Sequence, residues 1–280
     1  MNLVKSKKAF AGLISWLLMT FVSAAAWADV PKETGWSMPV DASQDGHRIS
    51  WLIDITNVFI TILFVVMVIW MVWAVFAHNE KHEAEYDHGD SRHHVTVALT
   101  ISAIIFVVVD GNLFYNATKD LTEVFWNFDK ALSTEGHVKL EVNARQWLWQ
   151  GRYPGPDNKF NTKDDAITTN DIRIPVDTPV IIQLASPDVI HNMYLPNMRV
   201  KMDAVPGSVN QFWFQAKTTG QYEIGCAQHC GQAHYKMRGI LTVLPRAEYD
   251  EWVAAQSRDA AQLYDPEAKE ANWGWSWKKI

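Results

Sequence analysis

Residues 222–244 read YEIGCAQHCGQAHYKMRGILTVL: two short runs of alternating character joined by a loop that holds Cys226, Cys230, His234 and Met237. Apolar residues at every second position predict half-buried strands over 222–226 and 239–244. The same texture extends upstream. Val138, Leu140 and Val142 alternate with polar neighbours from His137 onward, and similar runs occupy 172–176, 180–185, 189–195 and 209–215. Turn formers separate them at Pro175/Asp177, Pro187/Asp188, Pro196/Asn197, Pro206/Gly207 and Thr219/Gly220. Short strands with such punctuation predict an antiparallel sandwich or barrel. No βαβ alternation occurs, which argues against a doubly wound or thioredoxin-like fold. Residues 153–171 are a polar excursion, read as a long loop. Its Asp157, Asn161, Asp164 and Asp165 lack the glycine and terminal glutamate of a calcium loop. Downstream, 246–263 has helical spacing, with Tyr249, Trp252, Val253 and Ala260 near one face. The tail holds Trp273, Trp275 and Trp277 beside lysines, a pairing suited to a membrane interface or a neighbouring subunit.

Toward the N-terminus the chain becomes apolar in blocks. Hydrophobic residues make up 48% of the 280 residues, yet the mean hydropathy is only −0.12. Lys5, Lys7 and Lys8 precede an apolar stretch, and Ala26-Trp-Ala28 offers a small-x-small cleavage site, so 1–28 is read as a signal peptide. Residues 29–50 then form a periplasmic N-terminal segment. Two runs, 51–77 and 95–115, are long enough to cross a bilayer. With export of the N-terminus, the linker 78–94 is cytoplasmic and everything from 116 onward lies outside. His78, His82, His88, His93 and His94 crowd that linker and are read as a solvated connector. The formal net charge of −6 excludes a nucleic-acid partner. It favours instead a basic protein partner for the exposed domain.

The two cysteines are too few to staple a domain of this size. With His234 and Met237 they make a soft donor set that suits copper. Mononuclear blue-copper sites use one thiolate; two thiolates can bridge two copper ions, each of which needs a histidine. His191, within Asp188-Val-Ile-His191, is the stronger choice for the second imidazole, with His137 the other, while His229 would point away if both cysteines face the metal. A disulfide in an oxidising compartment, or zinc on Cys226, Cys230, His234 and His191, remains open on spacing alone.

At these residues the chain resembles subunit II of cytochrome c oxidase. The resemblance rests on the signal peptide, the helix pair, the Cys-x3-Cys-x3-His-x2-Met loop, Asp188-Val-Ile-His191 and Lys201-Met-Asp-Ala-Val-Pro-Gly207. It implies a two-helix transmembrane hairpin carrying an all-β cupredoxin-like Greek-key domain over 116–245, followed by a C-terminal helix and Trp-rich tail over 246–280. It also implies a dicopper CuA centre on His191, Cys226, Cys230, His234, Met237 and the backbone carbonyl of Gln228. Trp147, in Arg145-Gln-Trp147-Leu-Trp149, would accept electrons from cytochrome c, and Asp188 would help dock that donor. The electron would pass to haem in subunit I, with subunit III as a further partner, in a bacterial inner membrane. No oxygen-reducing site is expected in this chain itself. Two departures stand out. Gln228 replaces a glutamate whose carboxylate helps hold magnesium at the subunit interface, which puts that magnesium in question. His93 or His94 is the nearest titratable group where relatives carry a proton-uptake glutamate. The competing class is a membrane-anchored copper chaperone; those thioredoxin-like proteins carry Pro after the second cysteine, where this chain has Gly231. A quinol oxidase subunit would share the scaffold without the ligands.

Overall fold

The computed structural model describes residues 38–83, 86, 88–268 and 273–275. The signal-peptide reading over 1–28 and Trp277 fall outside them.

Helix α1 (Gly46–Ala77) and the helical run that begins with α2 (Arg92–Ile105) are long and apolar enough to cross a membrane. Their apolar side chains face outward: Phe64, Phe76, Phe106 and Phe114 are each about two-thirds or more exposed. Soluble helices bury such residues, so this exposure needs an apolar surrounding. Ser91 caps α2 by accepting from the His94 N–H. The helical run continues beyond the apolar stretch 95–115. It passes through a π turn at Phe106–Asp110, continues as α3 (Gly111–Asp120), and ends in a second π turn at Leu121–Phe125. The added turns are polar and are held from the start of α1, where Arg48 bonds Asp120 at 2.5 Å and Glu123 at 2.8 Å. Hydropathy marks where a helix is apolar; ion pairing carries it further. A short helix, α4 (Phe128–Leu132), packs Ala131 against Ile181 and Trp213.

Among the described residues ten strands follow, in two five-stranded sheets. The first has the order β3 (Ala166–Thr169), β2 (Leu148–Tyr153), β1 (Val138–Arg145), β5 (Pro179–Ala185), β8 (Asn210–Gln215). The second runs β4 (Asp171–Pro175), β10 (Arg238–Leu244), β9 (Gly220–Cys226), β6 (His191–Leu195), β7 (Val200–Ala204). Leu140, Val142 and Trp149 from the first sheet and Ile172, Ile174, Met193, Ile224 and Leu241 from the second share one buried core. Each such side chain contributes about 1.5–3 kcal/mol by leaving water. The helix pair followed by an all-β cupredoxin-like domain is the expected class, with one correction. The sheets are mixed, because β1 pairs in parallel with β5 and β4 in parallel with β10. Alternation reports which face a residue occupies and carries no information on strand direction. Strands β2, β3 and β7 are additions: only Gln146 and Trp147 separate β2 from β1, with no turn former to mark the break, while β3 lies inside the polar excursion.

The outer face of the first sheet is polar yet shielded. Glu141, Arg152 and Gln183 are at most 2% exposed. Arg152 approaches Glu141 at 3.7 Å and Asp165 at 3.6 Å, and donates to Asn161 at 2.6 Å. The tail covers this row. Trp273 lies over the guanidinium at 4.1 Å, and the Trp275 indole N–H donates to Gln183 at 2.8 Å. Helix α5 (Arg246–Leu263) brings the chain back there, its Trp252 packing edge-on against Tyr153.

Candidate metal centre

Adjacent strands bring the donors together. β6 and β9 pair at Met193↔Cys226, so His191 at the start of β6 and Cys226 at the end of β9 lie side by side. The chain then loops through Cys230, makes a 3-10 turn at His234–Lys236 and enters β10. Gly231 lets this loop close, having φ +122° and lying so near β1's end that a Cβ would sit 2.8 Å from Gln146 Nε2 and 3.4 Å from the Trp147 ring.

His191 is fully buried. Its Nε2 lies 2.9 Å from Asp188 Oδ1 and its Nδ1 3.1 Å from Met237 Sδ. A ring donating from Nε2 to the carboxylate keeps the Nδ1 lone pair for the sulfur side, the arrangement by which outer carboxylates orient metal-binding histidines. Ligand atoms of His191, Cys226 and Cys230 all fall within 4.8 Å of one another. The two Sγ atoms are 3.8 Å apart, Cys230 Sγ is 3.7 Å from Met237 Sδ and 3.5 Å from His234 Nδ1, and Cys226 Sγ is 3.2 Å from the Gln228 carbonyl. All six residues that the sequence singles out as ligands therefore converge. His229 is exposed, its ring against His234 at 5.5 Å. His137 bonds the Thr134 carbonyl and is not in this cluster.

Without metal the Cys230 thiol is pushed up to about 12, first by burial and then by the adjoining Cys226 thiol. A thiol so placed resists ionisation until a cation replaces its proton. The soft donor set of two thiols, a thioether and two imidazoles fits copper.

Three residues support the cluster beyond the ligands. Asp188 accepts from the Gln146 N–H at 2.7 Å, from the Val189 N–H at 2.6 Å and from His191. Burial pushes its carboxyl up, but the bonds from Gln146, His191, Val189 and Ser186 outweigh this and hold it below the usual range. Gln146 donates its side-chain amide to the Cys230 carbonyl at 2.8 Å. Trp149, fully buried, meets the His191 ring edge-on at 6.3 Å. Trp147 is 37% exposed beside the loop. Sequence reasoning gave Asp188 to a docking partner and did not single out Gln146 or its bond to Cys230. Its one signal is adjacency to Trp147.

Residues 138–243 match the family model described as "Cytochrome C oxidase subunit II, periplasmic domain". An "Alternative cytochrome c oxidase subunit 2" of Bradyrhizobium diazoefficiens is 34% identical over 141 residues, covering 42% of this chain and 51% of that protein. "Cytochrome c oxidase subunit 2" of Alkalihalophilus pseudofirmus is 29% identical over 235 residues, covering 82% of this chain and 64% of the relative. The chain thus spans about half the length of the first of these and under two-thirds of the second. A crystal structure of the periplasmic domain of subunit II of cytochrome oxidase (CoxB) of Bradyrhizobium japonicum aligns at 26% identity and TM-score 0.41, covering 46% of this chain and 99% of that one. By the family model and these like-named relatives, the domain over residues 138–243 belongs to the cytochrome c oxidase subunit II family.

Proposed function

We propose that this chain is the subunit through which electrons come into a haem–copper oxidase of a bacterial inner membrane. Its hairpin would span the bilayer and its β-domain would face the periplasm. Two copper ions would be held by His191, Cys226, Cys230, His234, Met237 and the Gln228 carbonyl, and copper bound there supplies a one-electron carrier. The observation that carries this reading is the convergence of those six residues around two sulfurs 3.8 Å apart.

The residues divide the work. Asp188 fixes the His191 ring, so little reorganisation accompanies a change of charge. The second thiolate lets two metal ions share that charge. Trp147 and Gln146 extend from the exposed surface to the Cys230 carbonyl, giving a donor such as cytochrome c a short covalent and hydrogen-bonded path to the sulfurs. The electron would leave toward haem in subunit I, where oxygen is reduced to water, with subunit III as a further neighbour. Gln228 offers a neutral amide where a hard dication would need charge, which speaks against magnesium at that position.

Copper reconstitution of the full-length chain in detergent tests this. The expected result is two coppers per chain and an electron paramagnetic resonance pattern split by two equivalent copper nuclei, abolished by Cys226→Ser. One copper with single-nucleus splitting, or zinc in stoichiometric amount without colour, would remove the electron-transfer reading and return the chain to the chaperone class.

A further inference from the structure

Of the chain's histidines, His78, His82, His88, His93 and His94 lie in the linker between the two long apolar helices. The structure brings two of them together. Helix α1 ends at Ala77, and the chain continues from it as a hydrogen-bonded turn. The His78 N–H donates to the Ala74 carbonyl at 2.8 Å and the His82 N–H to the Asn79 carbonyl at 2.9 Å. Asn79 braces that turn, its side chain donating to the Phe76 carbonyl at 3.0 Å and accepting from the Lys81 N–H at 3.0 Å. His78 and His82 then meet with ring centres 4.4 Å apart and planes at 67°. Both are exposed. Among the described residues neither ring has a hydrogen bond or an ion pair, and the one further contact is the Trp73 ring, edge-on to His78 at 5.6 Å. His88 instead meets Tyr86 at 4.7 Å, and His93 and His94, neighbours in sequence, stand 5.9 Å apart.

We propose that His78 and His82 form a second metal site, separate from the sulfur cluster, which takes one divalent ion of the imidazole-binding kind, copper(II) foremost. Nitrogens bound at about 2.0–2.1 Å place each ring centre about 3.2 Å from the ion. Two imidazoles sharing it then stand about 4.5 Å apart at a right angle and about 5.2 Å apart at the tetrahedral one. The observed 4.4 Å matches the right angle, which is the geometry of square-planar copper(II). Charge agrees with a cation here. Residues 78–94 carry the carboxylates of Glu80, Glu83, Glu85, Asp87 and Asp90 against Lys81 and Arg92. Lys81 stands between the two histidines in sequence, with Glu80 beside it to offset its charge. Water or a carboxylate of Glu80 or Glu83 would complete the coordination. Binding displaces water and forms metal–nitrogen bonds, with no electron transferred. The site is independent of the function proposed above. Edge-on packing of two rings would give the same contact without affinity for a metal, and experiment separates the two.

The test is a copper(II) titration of the full-length chain in detergent, followed by electron paramagnetic resonance. Two forms are titrated, the copper-loaded chain and a Cys226→Ser/Cys230→Ser chain. The second keeps the linker readable even if the sulfur cluster never loads. In both, a copper with single-nucleus splitting and the nitrogen splitting of two imidazoles is expected. His78→Ala and His82→Ala should each weaken its binding by about tenfold or more, since even the outer partners of a ligand are worth that much. His88→Ala and His93→Ala should leave it in place. The rings of His229 and His234, 5.5 Å apart beside the sulfur cluster, are the nearest competitor, and copper held there would be indifferent to the linker variants. A titration in which no bound copper responds to both His78→Ala and His82→Ala, or in which His93→Ala removes it equally, overturns the inference.

Discussion

Two groups of polar side chains lie out of water in the β-domain, one on each sheet, and they are built on opposite rules. On the first sheet, Arg152 faces Glu141 and Asp165, with Trp273 above it; positive and negative meet and the cluster closes on itself. On the second, two thiols, a thioether and two imidazoles face one another with no cation among the described residues. A cluster that cancels its own charge is a structural device. Soft acceptors gathered around nothing positive make a place for a metal ion. Burial by itself separates the two poorly, since Arg152 and His191 are both at most 2% exposed; the sign and softness of the partners separate them well.

The largest expected break in that comparison is Arg152→Met. It leaves Glu141 and Asp165 buried without their cation and should cost about 3–5 kcal/mol in denaturant unfolding, while the copper spectrum of the folded fraction stays as it was. Burial already raises the Asp165 carboxyl, and protonation relieves the uncompensated charge, so the loss should shrink as pH falls from 8 to 5. A variant as stable as the parent would show that the row is ornamental.

Asp188→Asn acts on the other cluster. The amide oxygen can still accept from His191, but the charge that orients and polarises the ring is gone. Copper affinity should fall about 10–100-fold in a competition titration, with unfolding of the copper-free chain hardly changed near neutral pH. The acid limb sharpens the point. The Asp188 carboxyl is held below the usual carboxylate range in the folded chain, so its contribution is present above the unfolded value and lost as pH falls through the lower folded one. The Asn variant should lack that component of the acid titration. Unchanged copper affinity would reduce Asp188 to a loop anchor.

Trp273→Ala is the mildest of the three. Removing a ring over a guanidinium should cost about 1 kcal/mol of stability and leave copper binding untouched. A shift in the copper spectrum would mean that the two clusters communicate.

Much of this was legible in residues 222–244, because metal chemistry is written in side-chain types and those survive any uncertainty about pairing. The strand segments around 180–185 and 209–215 were legible because turn residues punctuate their surroundings, whereas only Gln146 and Trp147 separate Leu148–Tyr153 from β1 and neither is a turn former. Parallel pairing of β1 with β5 and β4 with β10 leaves no local mark, since it is settled by what each strand meets across the sheet. Asp188 illustrates the limit at the site. A carboxylate three residues before a histidine reads as surface charge, and only the turn after β5 folds it back against the ring.

The parallel join of β4 to β10 also sets a sequence of events. Asp171 aligns with Ile240 and Pro175 with Leu244, so the sheet bearing the thiols is completed by a strand drawn from far along the chain. Such long-range closures form late, because a long loop must lose its freedom before any contact rewards it. The loop 227–237 itself closes by a shorter-range contact, because β10 pairs antiparallel with β9 across it and so gathers Cys226, Cys230, His234 and Met237, to which β6 adds His191. Four of the donors thus belong to one local hairpin and the fifth side chain to a strand well upstream, so a local rearrangement of either element alone would dismantle the cluster.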